Sequence, residues 1–294
     1  MDFFLQLVVA GVVIGSIYAI VALGFTLIYK STGVVNFAQG ELLLVGAYVC
    51  LQLSVEYRLN FMLSFLITLT FMFLFGFFIE KIFLRKMIGE PIISIIMLTI
   101  GLSSVFKSIV QLVWGTNTRT FENAIPHEPL SVFGISISLV YLFAIGAVSL
   151  FLILFSIFFK KSKVGIAMRA VASDQQAALS MGIDVKKIFA LSWAIAAVVS
   201  TVGGVFLGNI NGINTSLSYF GLKVFPVVIL GGLDSIGGAI VGGLVIGILE
   251  NLAGGYIDPL IGGGAKDVFP FIFMIVVLMI KPYGLFGTVE VEKV

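Results

Sequence analysis

The chain lacks most of what soluble enzymes build active sites from. It has one cysteine, Cys50, and one histidine, His127. That excludes an intrachain disulfide and leaves no ligand set for a His/Cys metal site. Cys50 sits in an apolar run and reads as a small buried hydrophobe; His127, between Pro126 and Glu128, reads as a solvated loop residue. No G-x-x-x-x-G-K-[ST] phosphate loop is present. The glycine-rich pieces GGLDSIGG (231–238) and IGGGAKD (261–267) lack its Gly-Lys-Ser/Thr end, and there is no HExxH. The chain therefore does not bind ATP by that loop. Charge is scarce as well: 11% of residues are charged, against about 25% in a soluble domain. The net charge of +2 is too small to indicate a nucleic-acid partner.

What is abundant is apolar surface. Hydrophobic residues make up 60% of the 294, and the mean hydropathy is +1.17. A chain of this length has no core large enough to hide that surface from water, so lipid must be its solvent. The fold expected is an all-α integral membrane bundle, because a helix satisfies its backbone polar groups internally and crosses the hydrocarbon core in about 20 residues. Apolar runs of that kind cover 4–28, 37–55, 61–79, 92–113, 136–159, 188–208 and 236–253, with a shorter one at 268–281. The first is a membrane span and not a secretory signal: Met1-Asp2-Phe3-Phe4 carries no basic residue, and the run continues to Tyr29. Residues 219–231 (YFGLKVFPVVILG) are short and broken, fitting a half-helix, a re-entrant segment or a tight crossing.

Charge asymmetry orients the bundle. Lys81, Arg85 and Lys86 follow one span, and Lys160, Lys161, Lys163, Arg169, Lys186 and Lys187 lie between two others. Basic loops face the cytoplasm. The loop 114–135, with one Arg and two Glu, then faces outward, as does the N-terminus, while Lys30 and Lys281 lie inside. An outside start and an inside end need an odd number of crossings, so 219–231 completes a ninth beside eight clear runs.

Glycine is plentiful, at 33 residues. Pairs four apart (Gly11/Gly15, Gly204/Gly208, Gly238/Gly242 and Gly243/Gly247) make flat strips where helix backbones can approach closely. The two strips on 236–253 predict neighbours on two sides, and packing within one chain is favoured over a dimerisation face.

Three polar places interrupt the apolar pattern. Segment 160–187 (KKSKVGIAMRAVASDQQAALSMGIDVKK) has no Gly or Pro from Ile166 to Met181 and reads as a short amphipathic helix, capped by Ser173 or Asp174 and ended by Gly182. Its apolar side fits either the membrane surface or a groove on a cytoplasmic partner. Asn36, Gln39 and Glu41, with Gly40 among them, lie at the cytoplasmic mouth of the second span. There Glu41 is either a pathway residue or an interfacial carboxylate held by helix N-terminal N–H groups. The loop Gly208–Ser216, with Asn209, Asn211 and Asn214, is either a plain turn or a contact surface. Lys107 and Glu250 fall toward the outer ends of their spans, where snorkelling accounts for them.

These residues carry a resemblance. GSIYAIVALGFTLIYKSTGVVNFAQGELLLVGAY (15–48) is similar to the first signature of the permease subunits of branched-chain amino acid ABC importers. Arg169–Asp184 resembles that family's cytoplasmic coupling loop, whose pattern is Glu-Ala-Ala, three residues, then Gly. Here Gln176 replaces the Glu ahead of Ala177, Ala178 and Gly182. GLKVFPVVILGGLDSIGGAIVGGLVIGILENL (221–252) and KPYGLFG (281–287) are also family-like, and the likeness runs from about residue 10 to 287.

The resemblance implies a transmembrane permease that forms half of a translocation pathway for hydrophobic amino acids. Its implied partners are a second related permease, two cytoplasmic ATPase subunits that hydrolyse the ATP, and a periplasmic or lipid-anchored solute-binding protein. It implies an ATPase-coupling set of Arg169, Asp174, Gln176, Ala177, Ala178 and Gly182, and a pathway role for Asn36, Gln39, Gly40 and Glu41. Asn209, Asn211 and Asn214 become candidates for an outer gate or docking surface. No cofactor or metal is implied. Other readings are the same machine for another small solute, such as urea, amides or other amino acids, and an ion-coupled secondary transporter, for which the membrane offers only Glu41 and Glu250.

Overall fold

The computed structural model describes residues 2–121, 129–132 and 135–287; His127 lies outside them. Among the described residues, six helices are long and apolar enough to cross a membrane. They are α1 (Asp2–Thr32), α3 (Phe61–Ile82), α4 (Ile92–Trp114), α5 (Leu139–Lys161), α8 (Val185–Asn211) and α10 (Ile236–Tyr256). Three shorter apolar helices accompany them: α2 (Gln39–Leu51), extended by a π turn to Glu56, α9 (Tyr219–Gly231) and α12 (Ala265–Ile280). Two short helices, α6 (Lys163–Ser173) and α7 (Gln175–Ser180), join α5 to α8, and a single turn, α11 (Asp258–Ile261), precedes α12. The loop after α4 contains a small antiparallel hairpin, β1 (Pro129–Val132) and β2 (Ile135–Ser138).

Local signals set the boundaries. The Asn60 side chain accepts from the Met62 N–H to start α3, Ser162 caps α6 and Ser235 caps α10. Gly115, at φ 79°, ends α4.

The core forms around α1 and α8, which pack on each other; α2 lies against α8 and is flanked by α3, α4 and α9. Almost every α2 residue is buried, including Gln39 and Glu41. Around this centre, α3, α4, α5 and α12 turn large apolar side chains outward, such as Ile93, Leu112 and Met279. Such faces suit hydrocarbon and not water.

The glycine strips do what their spacing predicts. Gly11 and Gly15 lie against Gly243, Gly247 and Ile248, so α1 and α10 cross backbone to backbone. The second strip on α10, Gly238 and Gly242, meets Val227 and Gly231 of α9. A Cβ on Gly247 would stand 2.3 Å from the Gly15 Cα.

The basic segments gather at one end of the bundle. Lys30 Nζ donates to the Asp234 carbonyl, α6 and α7 lie against the ends of α5 and α8, and the 284–287 turn packs on Gly232. At the opposite end Arg119 pairs with Glu56 and bridges to Ile213.

Candidate functional site

The helical trace breaks after α1. Residues 33–38 are non-helical, and α2 starts halfway along α8 instead of at the bundle end. Gln39 Nε2 donates to the Ala196 carbonyl and the Ser200 hydroxyl, both near the middle of α8 (Val185–Asn211). The sequence-based position of Asn36–Glu41 at a membrane mouth is thus corrected: they lie at mid-height, within the protein. The physical cause is the polar run itself. Asn36 Oδ1 accepts the Ala38 N–H, Asn36 Nδ2 donates to Gln39 Oε1 at 3.0 Å, and the Phe37 N–H reaches the Thr99 hydroxyl. Side chains thereby replace the helical bonds that this stretch gives up.

A second helix start meets this one. After α8 the chain turns back through a 3-10 turn (Thr215–Ser218) into α9, whose Gly221 approaches Gly40 so closely that a Cβ there would lie 2.5 Å from the Gly40 Cα. Of the forms that the sequence allowed for 219–231, α9 is the half-helix: 13 residues with Pro226 inside, or about 20 Å of rise against a core of about 30 Å.

Beside this junction lies a cavity of about 320 Å³ between α2, α4 and α9. Glu41, Lys107, Ser103, Ser104 and Ser218 supply its polar lining; Phe37, Ile100, Leu222 and Phe225 are among its apolar walls. Glu41 is 7% exposed. It sits in the first turn of α2, within reach of its own N–H and of the Ser103 hydroxyl, where the helix dipole favours a carboxylate. Lys107 lies 4.7 Å from the Tyr219 ring centroid. The snorkelling reading of Lys107 therefore gives way to a cavity-lining one. Ser103 and Lys107, four apart on an apolar helix, share one face, a signal present in the sequence.

Of the four predicted pathway residues, Gly40 and Glu41 line this cavity. Gln39 is engaged with α8. Asn36 is fully buried and lines a separate cavity of about 140 Å³ toward the basic end, beside Glu80 and Trp193.

Glu250 is corrected too. It is 1% exposed, receives the Tyr18 hydroxyl at 2.7 Å and pairs with Lys223 at 2.9 Å; Lys223 also pairs with Asp267. This network ties α1, α9, α10 and α12 together. Tyr18 and Lys223 had no signal in the sequence beyond being polar groups in apolar runs.

The basic-end segment is two helices and not one. Asp174 breaks them, its Oδ1 accepting the N–H groups of Gln176 and Ala177; it is the cap that the sequence offered as one of two. Gly182, at φ +81°, ends α7 as expected. Arg169 is occupied inside the chain, donating to the carbonyls of Phe159 and Lys160 at the end of α5. Ala178 is 3% exposed and packs inward, so it does not face a partner. Gln176 and Ala177 are exposed, with Leu179 at 58% and Met181 at 82%. Asp184 starts α8: the Lys187 N–H, and then its ammonium 3.2 Å away, hold the Asp184 carboxyl below its usual range.

At the opposite end, Asn209 is buried and bonded to the Val205 carbonyl, so it belongs to α8 and not to an open surface. Asn214 caps the 3-10 turn and donates to the Thr118 hydroxyl. Asn211 alone of the three is exposed without such a bond. Among the described residues no group of three His, Cys, Asp or Glu could hold a metal ion.

Comparison with known proteins agrees with this architecture. Residues 7–278 match the family described as branched-chain amino acid transport system / permease component. The chain is 31% identical to the high-affinity branched-chain amino acid transport system permease protein LivH of Salmonella typhimurium, over 99% of this chain and 98% of that one. It is 32% identical to a probable branched-chain amino acid transport permease of Methanocaldococcus jannaschii, over 96% and 92%. A fructose import permease of Bifidobacterium longum is 24% identical, over 90% and 73%. Matched over nearly its whole length and built as a multi-helix membrane bundle, the chain belongs to the branched-chain amino acid transport system permease family.

Proposed function

We propose that the chain is half of the translocation pathway of an ABC importer for branched-chain amino acids. It works beside a second related permease and is driven by two cytoplasmic ATPase subunits. A periplasmic or lipid-anchored binding protein supplies the solute. The observation that carries the reading is the junction of two half-helices at mid-height, beside an open cavity that sets Glu41, Lys107 and three serines into otherwise apolar helices. Broken helices at that depth are how membrane proteins place binding groups where a continuous helix would hide its backbone.

The basic end faces the cytoplasm in this reading, with the N-terminus outside and the C-terminus inside, in a prokaryotic cytoplasmic membrane. α7 is the contact for the ATPase, presenting Gln176, Ala177, Leu179 and Met181, while Asp174 and Gly182 set its ends. Arg169 and Ala178 hold α6 and α7 to the bundle, so that a push on α7 reaches α5 and α8. The chain hydrolyses no ATP itself. To swing the membrane conformations from 1:99 to 99:1, the ATPases must favour one by about 5.5 kcal/mol.

The test is the intact complex in lipid, asking which amino acids, carried by the binding protein, raise ATP hydrolysis and accumulate inside vesicles. Leucine, isoleucine and valine should do both. A complex that moves fructose and ignores all three would replace this reading with the sugar one that the Bifidobacterium relative's name suggests.

A further inference from the structure

We propose that the cavity between α2, α4 and α9 binds the zwitterionic backbone of an α-amino acid, Glu41 taking the ammonium group and Lys107 the carboxylate. The inference rests on the transport reading above and names the residues that would hold the solute within it.

Glu41 and Lys107 are opposite charges lining one cavity, yet among the described residues neither belongs to an ion pair within 4.0 Å. At membrane depth this arrangement is costly, because a buried charge is normally neutralised by a partner. Lys223 and Glu250, by contrast, do pair, at 2.9 Å. Lys107 is instead held over the face of Tyr219, which steadies an ammonium group without neutralising it. Glu41 has a hydroxyl neighbour, Ser103, and among the described residues the Lys107 charge acts on it only from beyond ion-pair distance. A solute with a positive and a negative group would satisfy both residues at once.

The rest of the cavity fits such a solute. The start of α2 reaches the cavity through Gly40 and Glu41. Ser104 and Ser218 add hydroxyls, and Phe37, Ile100, Leu222 and Phe225 give an aliphatic side chain an apolar wall. A volume of about 320 Å³ is at the small end of ligand sites. A sugar or urea has no formal charge to offer either residue.

The experiment uses the complete complex, with its partner subunits and binding protein, in proteoliposomes. It reads leucine uptake and ATP hydrolysis stimulated by the loaded binding protein in the same preparation. Glu41→Gln and Lys107→Met should each lower uptake about tenfold or more, the loss expected for one charge-assisted hydrogen bond, a fall that outruns any change in stimulated hydrolysis. Lys107→Arg should keep most of the uptake. Uptake by both neutral variants at the wild-type rate overturns the proposal. So does a parallel fall of uptake and hydrolysis in the neutral variants and in Glu41→Asp and Lys107→Arg alike, which makes the pair structural. A wild-type complex that moves no amino acid overturns the transport reading itself, a result distinct from either, and removes the proposal with it.

Discussion

Single residues in this bundle are decided by whether a polar group at depth finds a partner. Glu250 finds two, Tyr18 and Lys223, and the three lock helices far apart in sequence. Removing the cation alone would leave a carboxylate that is 1% exposed with only the tyrosine. Breaking a buried pair in this way costs about 3 kcal/mol. Lys223→Met should therefore lower the thermal unfolding midpoint of the purified protein clearly, while an exposed change such as Lys186→Met leaves it in place. Asp184 is the contrasting case, exposed and bonded to the start of α8. Its carboxyl is held below the usual value, so its contribution to the fold is present above the unfolded-state pKa and is lost as pH falls through the lower, folded one. The protection of the Lys187 amide against hydrogen exchange should be higher in the wild type than in Asp184→Ala at pH 7. The two should converge under acid conditions below the ordinary aspartate range.

At the scale of elements, the segment between α5 and α8 divides its labour between faces. Ala178, Met168 and Val171 point into the bundle, whereas Leu179 and Met181 stand out from it. A substitution at Ala178 damages the packing of α7 itself, so it cannot separate contact from folding. The exposed pair can. Leu179→Glu combined with Met181→Glu should cut ATP-driven uptake about tenfold or more, since two apolar anchors buried at an interface contribute about 1 kcal/mol or more each. The permease should insert at its normal level. Copurification of the ATPase subunits with this variant, set against wild type, checks the contact directly, and undiminished recovery would sink it. The half-helices follow the same logic of partners: α2 and α9 are short because their first turns are held against each other at Gly40 and Gly221, away from the membrane faces where longer helices begin.

For the whole molecule, one measurement decides which end faces the cell interior. Cys50 is fully buried, so an impermeant maleimide should label the native chain poorly in sealed cells. With a cysteine at Asn211, labelling from outside should be strong. With one at Ser180 it should appear only after permeabilisation. The reverse pattern would invert the bundle and remove α7 from any cytoplasmic ATPase.

The membrane class, the long helices, their breakpoints and the shared end of the basic loops were all legible in the residues. These properties follow from local apolar length, capping groups and lysine placement, and they need no knowledge of neighbours. The paired glycine strips were legible as well, because four-residue spacing projects onto one helix face. What the order of residues could not supply was depth and pairing. Asn36–Glu41 read as a membrane mouth because polarity in a sequence looks the same at a surface and inside a protein. Its true height is set by the middle of α8, some 160 positions away, through Gln39. Lys107 and Glu250 read alike as residues near span ends. The packing of helices gave one a tyrosine face and an open cavity and the other a buried cation. Contacts of this kind join segments distant along the chain, so they exist only once the helices have chosen their neighbours.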